Sequence, residues 1–268
     1  MKKSIGIALM LLLACNKNSN QHSIVVPDVI QAEKRRGNIT GFIQVYDNDG
    51  KELSDAGGVT IKIEQTNVST QSAGNGKWTL DSIPFGNYDI TFSKPGFGTN
   101  RIKGLYHAAQ NHATTNVGAS RSISMVSTLT IPQLIAKKLS ETAPAVANLI
   151  NVGLIEEGIL FNPIFVHSGT NEKAVRLFFS TSPDVSSAKH MATDKQRYTG
   201  KENVRENDNF KLSWFKDNGF ASGQTIYVKA YGDASFSDDF EDDVSGVTIF
   251  PSMSLNGSPV VSFVLPDK

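Results

Sequence analysis

Short runs in which apolar and polar residues alternate follow one another from Gly37 to the end of the chain, with turns rich in Gly, Asn and Pro between them. Alternation of this kind places successive side chains on opposite faces of a β-strand. The predicted inward rows are Ile39, Gly41, Ile43 and Val45; Val59, Ile61 and Ile63; Trp78 and Leu80; Tyr88, Ile90 and Phe92; Val175, Leu177 and Phe179; Phe210, Leu212 and Trp214; Ile226, Val228 and Ala230. The pattern predicts an all-β protein.

The length of 268 residues suits two domains, since single domains commonly have about 100–200 residues. We predict two consecutive β-sandwiches, residues 37–118 and 119–268, because several short strands with Gly and Asn turns recur in both parts. Before them, residues 1–14 are predicted to be an export signal and residues 15–36 a flexible tether.

Two segments near the predicted domain boundary fit more than one interpretation. The stretch 118–128 is rich in Ser, Gly and Ala, and we expect either a linker or the first strand of the second domain. Residues 131–139 fit one apolar face of a helix, with Pro132 near its start, but the residues upstream indicate a strand edge.

The N-terminus carries the pattern of a secreted protein. Lys2 and Lys3 precede an apolar run, Ile5 to Leu13, which is far shorter than the about 20 residues of a membrane-spanning helix. The tetrapeptide that ends at Cys15, Leu-Leu-Ala-Cys, resembles the lipobox of bacterial lipoproteins. This resemblance implies a diacylglyceryl group and an acylated amine, of the palmitate type, on Cys15. The alternative is an ordinary cleaved signal with an incidental cysteine.

Composition narrows the function classes. The chain has 26 basic and 26 acidic residues, and removing Lys2 and Lys3 with the signal leaves 24 against 26, about −2. This near balance of charge argues against binding to nucleic acid, which requires an excess of basic residues. Cys15 is the single cysteine, so with lipid attached to it no thiol remains for a disulfide, a zinc site or a nucleophile. Asn16, in place of an aspartate, indicates an outer-membrane destination by the same resemblance to lipoproteins.

Several pieces of the first domain resemble the carboxypeptidase regulatory-like domain, a small transthyretin-like β-sandwich. They are Gly41, residues 57–61, 76–80 and 83–88, and Lys94-Pro95-Gly96-Phe97. The resemblance implies a non-catalytic domain that serves in placement or binding. Within it we expect Gly86 to occupy a turn with positive φ before the Tyr88 strand. In the second domain, Ala221 to Tyr231 resembles the late strands of fibronectin type III-like domains.

Motifs that would indicate catalysis are missing from the sequence. It contains no His-Glu-x-x-His helix, no Gly-x-Ser-x-Gly elbow and no phosphate-binding Gly-rich loop. Ser186 to Lys189 fits a serine-x-x-lysine pattern but lacks its companion motifs, which favours coincidence. His107 and His112 have poor spacing for metal ligands.

An acidic cluster near the C-terminus is the candidate for metal binding. Calcium prefers six to eight oxygen ligands in flexible geometry, and a loop rich in carboxylates supplies them. The alternative is a solvated surface that keeps strand edges from pairing. The residues are Asp238, Asp239, Glu241, Asp242 and Asp243.

Aromatic side chains are the candidates for ligand binding, since β-sandwich modules hold sugars against ring faces. Tyr227 and Tyr231 lie on the opposite parity from the inward row of their strand. They are predicted either to face a ligand together or to pack against neighbouring strands. Trp78 and Trp214 fall in register with inward rows, which favours a place in the core.

The expected function is that of a non-catalytic, lipid-anchored protein of the cell envelope that presents a binding or assembly surface. Its expected partners are the membrane, through Cys15, and a glycan or an outer-membrane importer, with no cofactor other than calcium. The alternatives are a glycan hydrolase with dispersed carboxylates and a spacer or adhesin-like module. Paired carboxylates in a deep cleft would favour the hydrolase, whereas exposed aromatics or an uncovered strand edge would favour binding.

Overall fold

The computed structural model describes residues 35–108, 114–118, 121–166, 173–198 and 210–267. In these ranges the chain consists mostly of β-strands, so the predicted all-β class is confirmed. Its apolar side chains form two large cores, one in each half of the chain. The predicted signal, Cys15 and the tether up to residue 34 lie outside the described residues.

Eight strands form the first sandwich. They are β1 (Arg36–Tyr46), β2 (Thr60–Ile63), β3 (Ser69–Gln71), β4 (Lys77–Pro84), β5 (Gly86–Ser93), β6 (Asn100–His107), β7 (Thr114–Asn116) and β8 (Arg121–Ser124). One sheet pairs the long strand β1 with β4 on one side and with β7 and β8, both parallel, on the other. The second sheet has the order β3-β2-β5-β6. The inward rows predicted for β1, β2, β4 and β5 enclose the core between these sheets.

Two glycines allow the first sandwich to close tightly. A Cβ atom on Gly41 would lie 2.4 Å from the ring of Trp78, so the indole packs directly on the backbone of β1. Gly76 has φ of +79°, and a Cβ atom there would lie 2.2 Å from the carbonyl oxygen of Ile43. Gly86, in contrast, is the first residue of β5 and is not among the residues with positive φ, so that prediction is wrong. The backbone passes from β4 to β5 through Phe85 alone.

The segment predicted as a linker or as the start of the second domain belongs in part to the first sandwich. β8 pairs in parallel with Ile43 to Tyr46 of β1, and Met125 forms a bridge with Phe97. The first sandwich therefore extends beyond the predicted boundary at residue 118. The cause is a long-range pairing between strands about 80 residues apart, which the local composition does not show.

Nine strands and two helices form the second sandwich. They are β9 (Thr130–Lys138), α1 (Pro144–Asn151), β10 (Gly158–Val166), β11 (Lys173–Ser180), β12 (Ala192–Tyr198), β13 (Phe210–Lys211), α2 (Leu212–Asp217), β14 (Thr225–Asp233), β15 (Phe240–Glu241), β16 (Thr248–Ile249) and β17 (Val261–Val264). A sheet of order β13-β10-β9 packs on a sheet of order β12-β11-β14-β17. A 3-10 turn, Leu139–Glu141, follows β9.

The structure decides the open interpretation of residues 131–139 and corrects one predicted strand. Residues 130–138 form an edge strand, which also accounts for Pro132, since edge strands tolerate a missing N–H. The predicted strand through Leu212 and Trp214 is wrong, because a helix begins at Leu212 and ends before Gly219, which has φ of +84°. Trp214 still packs against the core, with its ring 4.8 Å from that of Phe210.

Both faces of β11 are buried, and all eight of its residues lie below the surface. Val175, Leu177 and Phe179 point into the core between the sheets. Arg176 and Phe178 point the other way, beneath the connection between β14 and β17, residues 234–260, which we call the cover segment. Phe250 of the cover segment lies on both of them, 5.1 Å from Phe178 and 4.5 Å from the guanidinium of Arg176. The second sandwich thus has a third layer.

No helix within the described residues is long and apolar enough to cross a bilayer.

Candidate functional site

Tyr227 and Tyr231 do lie on one face of β14, as their parity predicts, but that face is covered. Tyr231 is 7 % exposed and packs edge-on against Phe178, with ring centroids 5.5 Å apart. Gly257 of the cover segment lies directly over its ring. Tyr227 is half-buried against the same cluster. The two tyrosines therefore pack against neighbouring residues, and Tyr231 has no ring face open to a ligand.

The acidic residues predicted to bind calcium point in different directions. Asp238 accepts a hydrogen bond from Asn100 of β6 at 2.7 Å, and Asp239 lies 3.6 Å from Arg176. Asp242 accepts hydrogen bonds from the backbone N–H of Ser245 and from its hydroxyl, both at 2.8 Å. No group of three or more acidic, histidine or cysteine side chains among the described residues is placed to hold a metal ion. The structure therefore does not form the predicted calcium site, and Glu241 joins no such group.

Instead, this acidic segment joins the two sandwiches. β15, β16 and their connecting turn form a hairpin, residues 240–249, which we call the clamp hairpin. Its Asp243 forms ion pairs with Arg101 and Lys103 of β6, and these two cations lower the pKa of the Asp243 carboxyl. Arg101 also forms a two-bond pair with Glu64, both bonds at 2.6 Å, which raises the pKa of the guanidinium.

Further contacts beside the clamp hairpin fix the same junction. The Ser124 hydroxyl donates to the carbonyl of Phe236, whose ring lies 4.6 Å from that of Tyr46. The ammonium of Lys173 forms a salt bridge with Asp49. Where the chain crosses between the domains, the N–H of Ser127 donates to a carbonyl of the cover segment at 2.8 Å. The two sandwiches therefore meet through a polar and aromatic junction at the end of β14.

A buried ion pair lies under the cover segment near this junction. The carboxylate of Asp233, 2 % exposed, accepts from Arg176 Nε at 2.8 Å and from the N–H of Ala234 at 2.8 Å. Lys195, on the neighbouring strand, donates to the Ser237 hydroxyl at 3.1 Å, and burial lowers its pKa. The charged groups are engaged in bonds that hold the cover segment in place, so these groups do not form an open site.

The other end of the second sandwich is open. A groove of about 390 Å³ lies between the edge strands β9 and β17 and is lined by Ala136, Lys137, Lys138, Glu141, Ile159, Gly223, Phe263, Val264, Leu265, Pro266 and Asp267. Leu265 is 1 % exposed and Ile159 1 % exposed, and Phe263 packs against the core, so the floor is apolar. The groove lies at the start of β14, about 25 Å along the strand from the junction at its end.

Charged side chains surround the groove. Lys137 and Lys138 come from the end of β9, and neither forms an ion pair with another described residue. Glu141 is engaged by its own chain, since its carboxylate accepts a hydrogen bond from the N–H of Lys138 at 3.2 Å. Asp267 contributes the second carboxylate of the rim. The groove thus combines an apolar floor with a rim of two lysines and two carboxylates.

An exposed apolar surface lies beside the groove. Residues 139–157 connect β9 to β10, and we call them the distal excursion; they contain α1, which has no buried residue. Four aliphatic side chains of this segment face solvent: Leu149 (40 % exposed), Val152 (68 %), Leu154 (72 %) and Ile155 (38 %). Soluble proteins rarely leave neighbouring aliphatic side chains in water unless the surface binds something.

The sequence contained a signal for this surface that pattern analysis missed. Pro144 is a typical first residue of a helix, and the apolar residues Val146, Leu149 and Ile150 follow at helical spacing. No comparable pattern in the sequence indicates the groove, because the groove forms where β9 and β17 meet, and these strands are far apart in the chain.

The remaining predicted residues do not form a catalytic site in the described part of the chain. Ser186 and Lys189 pair through their backbones, while the ammonium of Lys189 binds Asp184. His107 is buried and lies 2.7 Å from the Thr115 hydroxyl. Cys15 and His112 lie outside the described residues.

Comparison with known proteins identifies one part of the chain. Residues 39–120 match the family model of the carboxypeptidase regulatory-like domain, as the sequence motifs predicted. This match covers less than half of the chain and coincides with the first sandwich up to β7. No curated protein matches the sequence.

Among solved structures, the chain is similar to a protein from Bacteroides uniformis proposed to bind carbohydrate. The two are 14 % identical, with 85 % of this chain and 99 % of that chain covered and a TM-score of 0.28. It is also similar to a DUF3823 family protein from Parabacteroides merdae, 14 % identical over 85 % of this chain and 98 % of that chain, with a TM-score of 0.22. These values are too low for a functional comparison.

Proposed function

We propose that this chain is a non-catalytic binding module of the cell envelope whose distal excursion docks a partner protein. The observation that carries the proposal is the set of four exposed aliphatic side chains on the distal excursion. Burying them against a partner would remove apolar area from water, which is the main driving force of protein association. The family that residues 39–120 match is a regulatory-like domain, which fits a non-catalytic role.

The charge of the distal excursion favours a protein over a lipid surface. Residues 139–157 contain no Lys or Arg but three glutamates, at positions 141, 156 and 157. Segments that lie on anionic membranes carry basic residues on their polar face, so this segment would be repelled.

The aromatic residues of the chain favour a protein over a glycan at this end of the molecule. Sugar-binding surfaces use exposed ring faces, but the one aromatic residue that lines the groove, Phe263, packs into the core. Trp78 and Tyr231 are buried, and Trp214 packs on the second core. A protein partner with an apolar patch fits the surface better.

The envelope location is part of the proposal and is supported by the lipobox-like sequence that ends at Cys15. The tether would lead from the membrane into β1 of the first sandwich, and the distal excursion would lie at the far end of the second. Cys15→Ser should move the protein from the membrane fraction to the soluble fraction, or leave it unprocessed, in cell fractionation. Normal processing and membrane association of this variant would contradict the anchor.

Docking at the distal excursion can be tested in cells by placing a photo-crosslinking amino acid at Val152. The control position is Val68 of the first sandwich, a residue of the same type that is 41 % exposed. We expect one defined protein adduct from position 152 and none from position 68. The adduct should disappear when Leu149, Leu154 and Ile155 are all changed to Ser, and thermal melting checks that this variant still folds. No adduct at position 152, or the same adducts at both positions, would contradict the proposal.

A further inference from the structure

The two sheets of the second sandwich end in strands that face each other without pairing. β9 is the last strand of one sheet and β17 the last strand of the other. Both line the groove, yet no backbone hydrogen bond joins them in the described part of the chain. In antiparallel sheets, every second N–H and C=O of an edge strand points outward. On β17, where the N–H of the next residue, Leu265, bonds to Gln224, alternation leaves the backbone groups of Ser262 and Val264 pointing outward.

The two edges differ in how they are protected. β9 carries Pro132, which lacks an N–H, and ends in Lys137 and Lys138, features that typically prevent unwanted strand pairing. β17 has the sequence Val-Ser-Phe-Val, which consists mainly of residues that favour strands, and a proline and a charge follow only after it, at Pro266 and Asp267. Val264 at its end is 56 % exposed. An added strand would thus find its open backbone on β17.

The groove between these edges has the volume and the lining for an inserted segment. Its volume of about 390 Å³ is within the usual range of ligand sites. An added strand directs alternate side chains to one face, so apolar side chains at every second position would reach the floor of Ile159, Phe263 and Leu265. Lys137 and Lys138, which have no ion-pair partner among the described residues, would attract one carboxylate on the same segment, whereas the rim carboxylates Glu141 and Asp267 would oppose further acidic residues.

We propose that the groove binds an extended, acidic segment of the partner protein, which adds as a β-strand to the open edge of β17 and places a carboxylate beside Lys137 and Lys138. The proposal rests on the proposed function, since it specifies how the partner is held at the distal end. Backbone hydrogen bonds along β17 supply affinity, and the floor and the two lysines supply selectivity.

Synthetic peptides provide a direct test with the full chain. The probes are fluorescein-labelled peptides as long as the nine-residue β9, with alternating Val and Thr and a central Glu, Lys or Ser. Fluorescence anisotropy should show tightest binding for the Glu peptide and weakest for the Lys peptide, about tenfold apart. A Glu peptide N-methylated at every second amide should bind at least about tenfold more weakly, because it cannot complete the strand pairing.

Two variants test the position of the peptide. Ala136→Phe fills the groove and should weaken binding of the Glu peptide by about tenfold or more, whereas Val68→Phe on the first sandwich should leave it unchanged. The double variant Lys137→Glu, Lys138→Glu should reverse the preference, so that the Lys peptide binds more tightly than the Glu peptide. Unchanged thermal melting of each variant confirms that it folds.

The outcomes separate this proposal from the docking of a partner. If no peptide binds below about 1 mM, if N-methylation has no effect, or if the charge preference does not reverse, strand addition is wrong. The crosslink at Val152 would survive that result, and the partner would then dock on the distal excursion alone. Conversely, peptide binding without a crosslink at Val152 would overturn the docking of a partner on the distal excursion and leave the strand site in place.

Discussion

The two sandwiches share an architecture but differ in how their sheets are covered. In the first, the outward row of β5 remains partly in water, and one core between two sheets accounts for its buried apolar side chains. In the second, β11 is buried on both faces, because the cover segment adds a third layer. The long connection between β14 and β17 therefore has a structural role at one end of the second sandwich, while the other end has no such cover.

This difference explains why the two ends of the second sandwich have different chemistry. At the junction, the cover segment satisfies Asp233 and Arg176 and carries the clamp hairpin to the first sandwich. At the far end, strand edges and the aliphatic residues of the distal excursion stay exposed. Contacts to the first sandwich at one end and an open surface at the other agree with the proposed binding role.

The largest expected effect comes from removing the centre of the third layer. Phe178 is fully buried and packs on Tyr231, Phe250 and His190, so Phe178→Ala should lower the free energy of unfolding by about 3–5 kcal/mol. The control is Thr91→Ala on the outward row of β5, expected to cost less than about 0.5 kcal/mol. Urea denaturation measures both. Equal, small losses would show that the cover segment does not form a core layer.

The inward rows of the first sandwich followed from the sequence because each depends on local alternation. Ile39, Ile43 and Val45 are all fully buried, as that alternation predicted. Gly86 shows the limit of such reasoning, since a turn motif does not determine φ when one residue joins two strands. Trp214 shows a second limit. Alternation over three positions predicted a strand, but Leu212 and Phe215 have the spacing of one helix face, and the helix buries both.

The sequence could not predict the surroundings of the candidate site residues, because those surroundings come from residues far away in the chain. The parity of Tyr227 and Tyr231 was correct, but their burial comes from a segment without any periodic pattern. The partner of Asp238 is Asn100, which is 138 positions away in the chain, so the acidic cluster alone could not reveal a junction. Local sequence predicts which face a residue takes, whereas tertiary pairing decides what covers that face.

A smaller effect is expected from the ion pair under the cover segment. Asp233→Ala leaves the guanidinium of Arg176 buried without its main partner, which should cost about 3 kcal/mol, the low end for such pairs because Asp239 lies 3.6 Å away. Asp184→Ala, which breaks the exposed pair with Lys189, should leave the melting temperature unchanged. Equal stability of the Asp233→Ala variant and the wild type in urea would show that burial of this pair contributes nothing to the third layer.

The smallest effect, and the one that tests the link between the sandwiches, is the pH dependence of the clamp hairpin. Lys103 and, next, Arg101 lower the pKa of Asp243 below its ordinary value of 3.8, so the folded state favours the charged carboxylate. The stabilisation is therefore fully present above pH 3.8 and is lost as the pH falls through the lowered pKa. The difference in urea midpoint between wild type and Asp243→Asn should be constant above about pH 5 and disappear in strong acid. In a background with both Arg101→Ala and Lys103→Ala, Asp243→Asn should have no effect, because its partners are gone. A difference that persists in that background, or that does not change with pH, would mean that Asp243 acts within its own hairpin and does not link the two sandwiches.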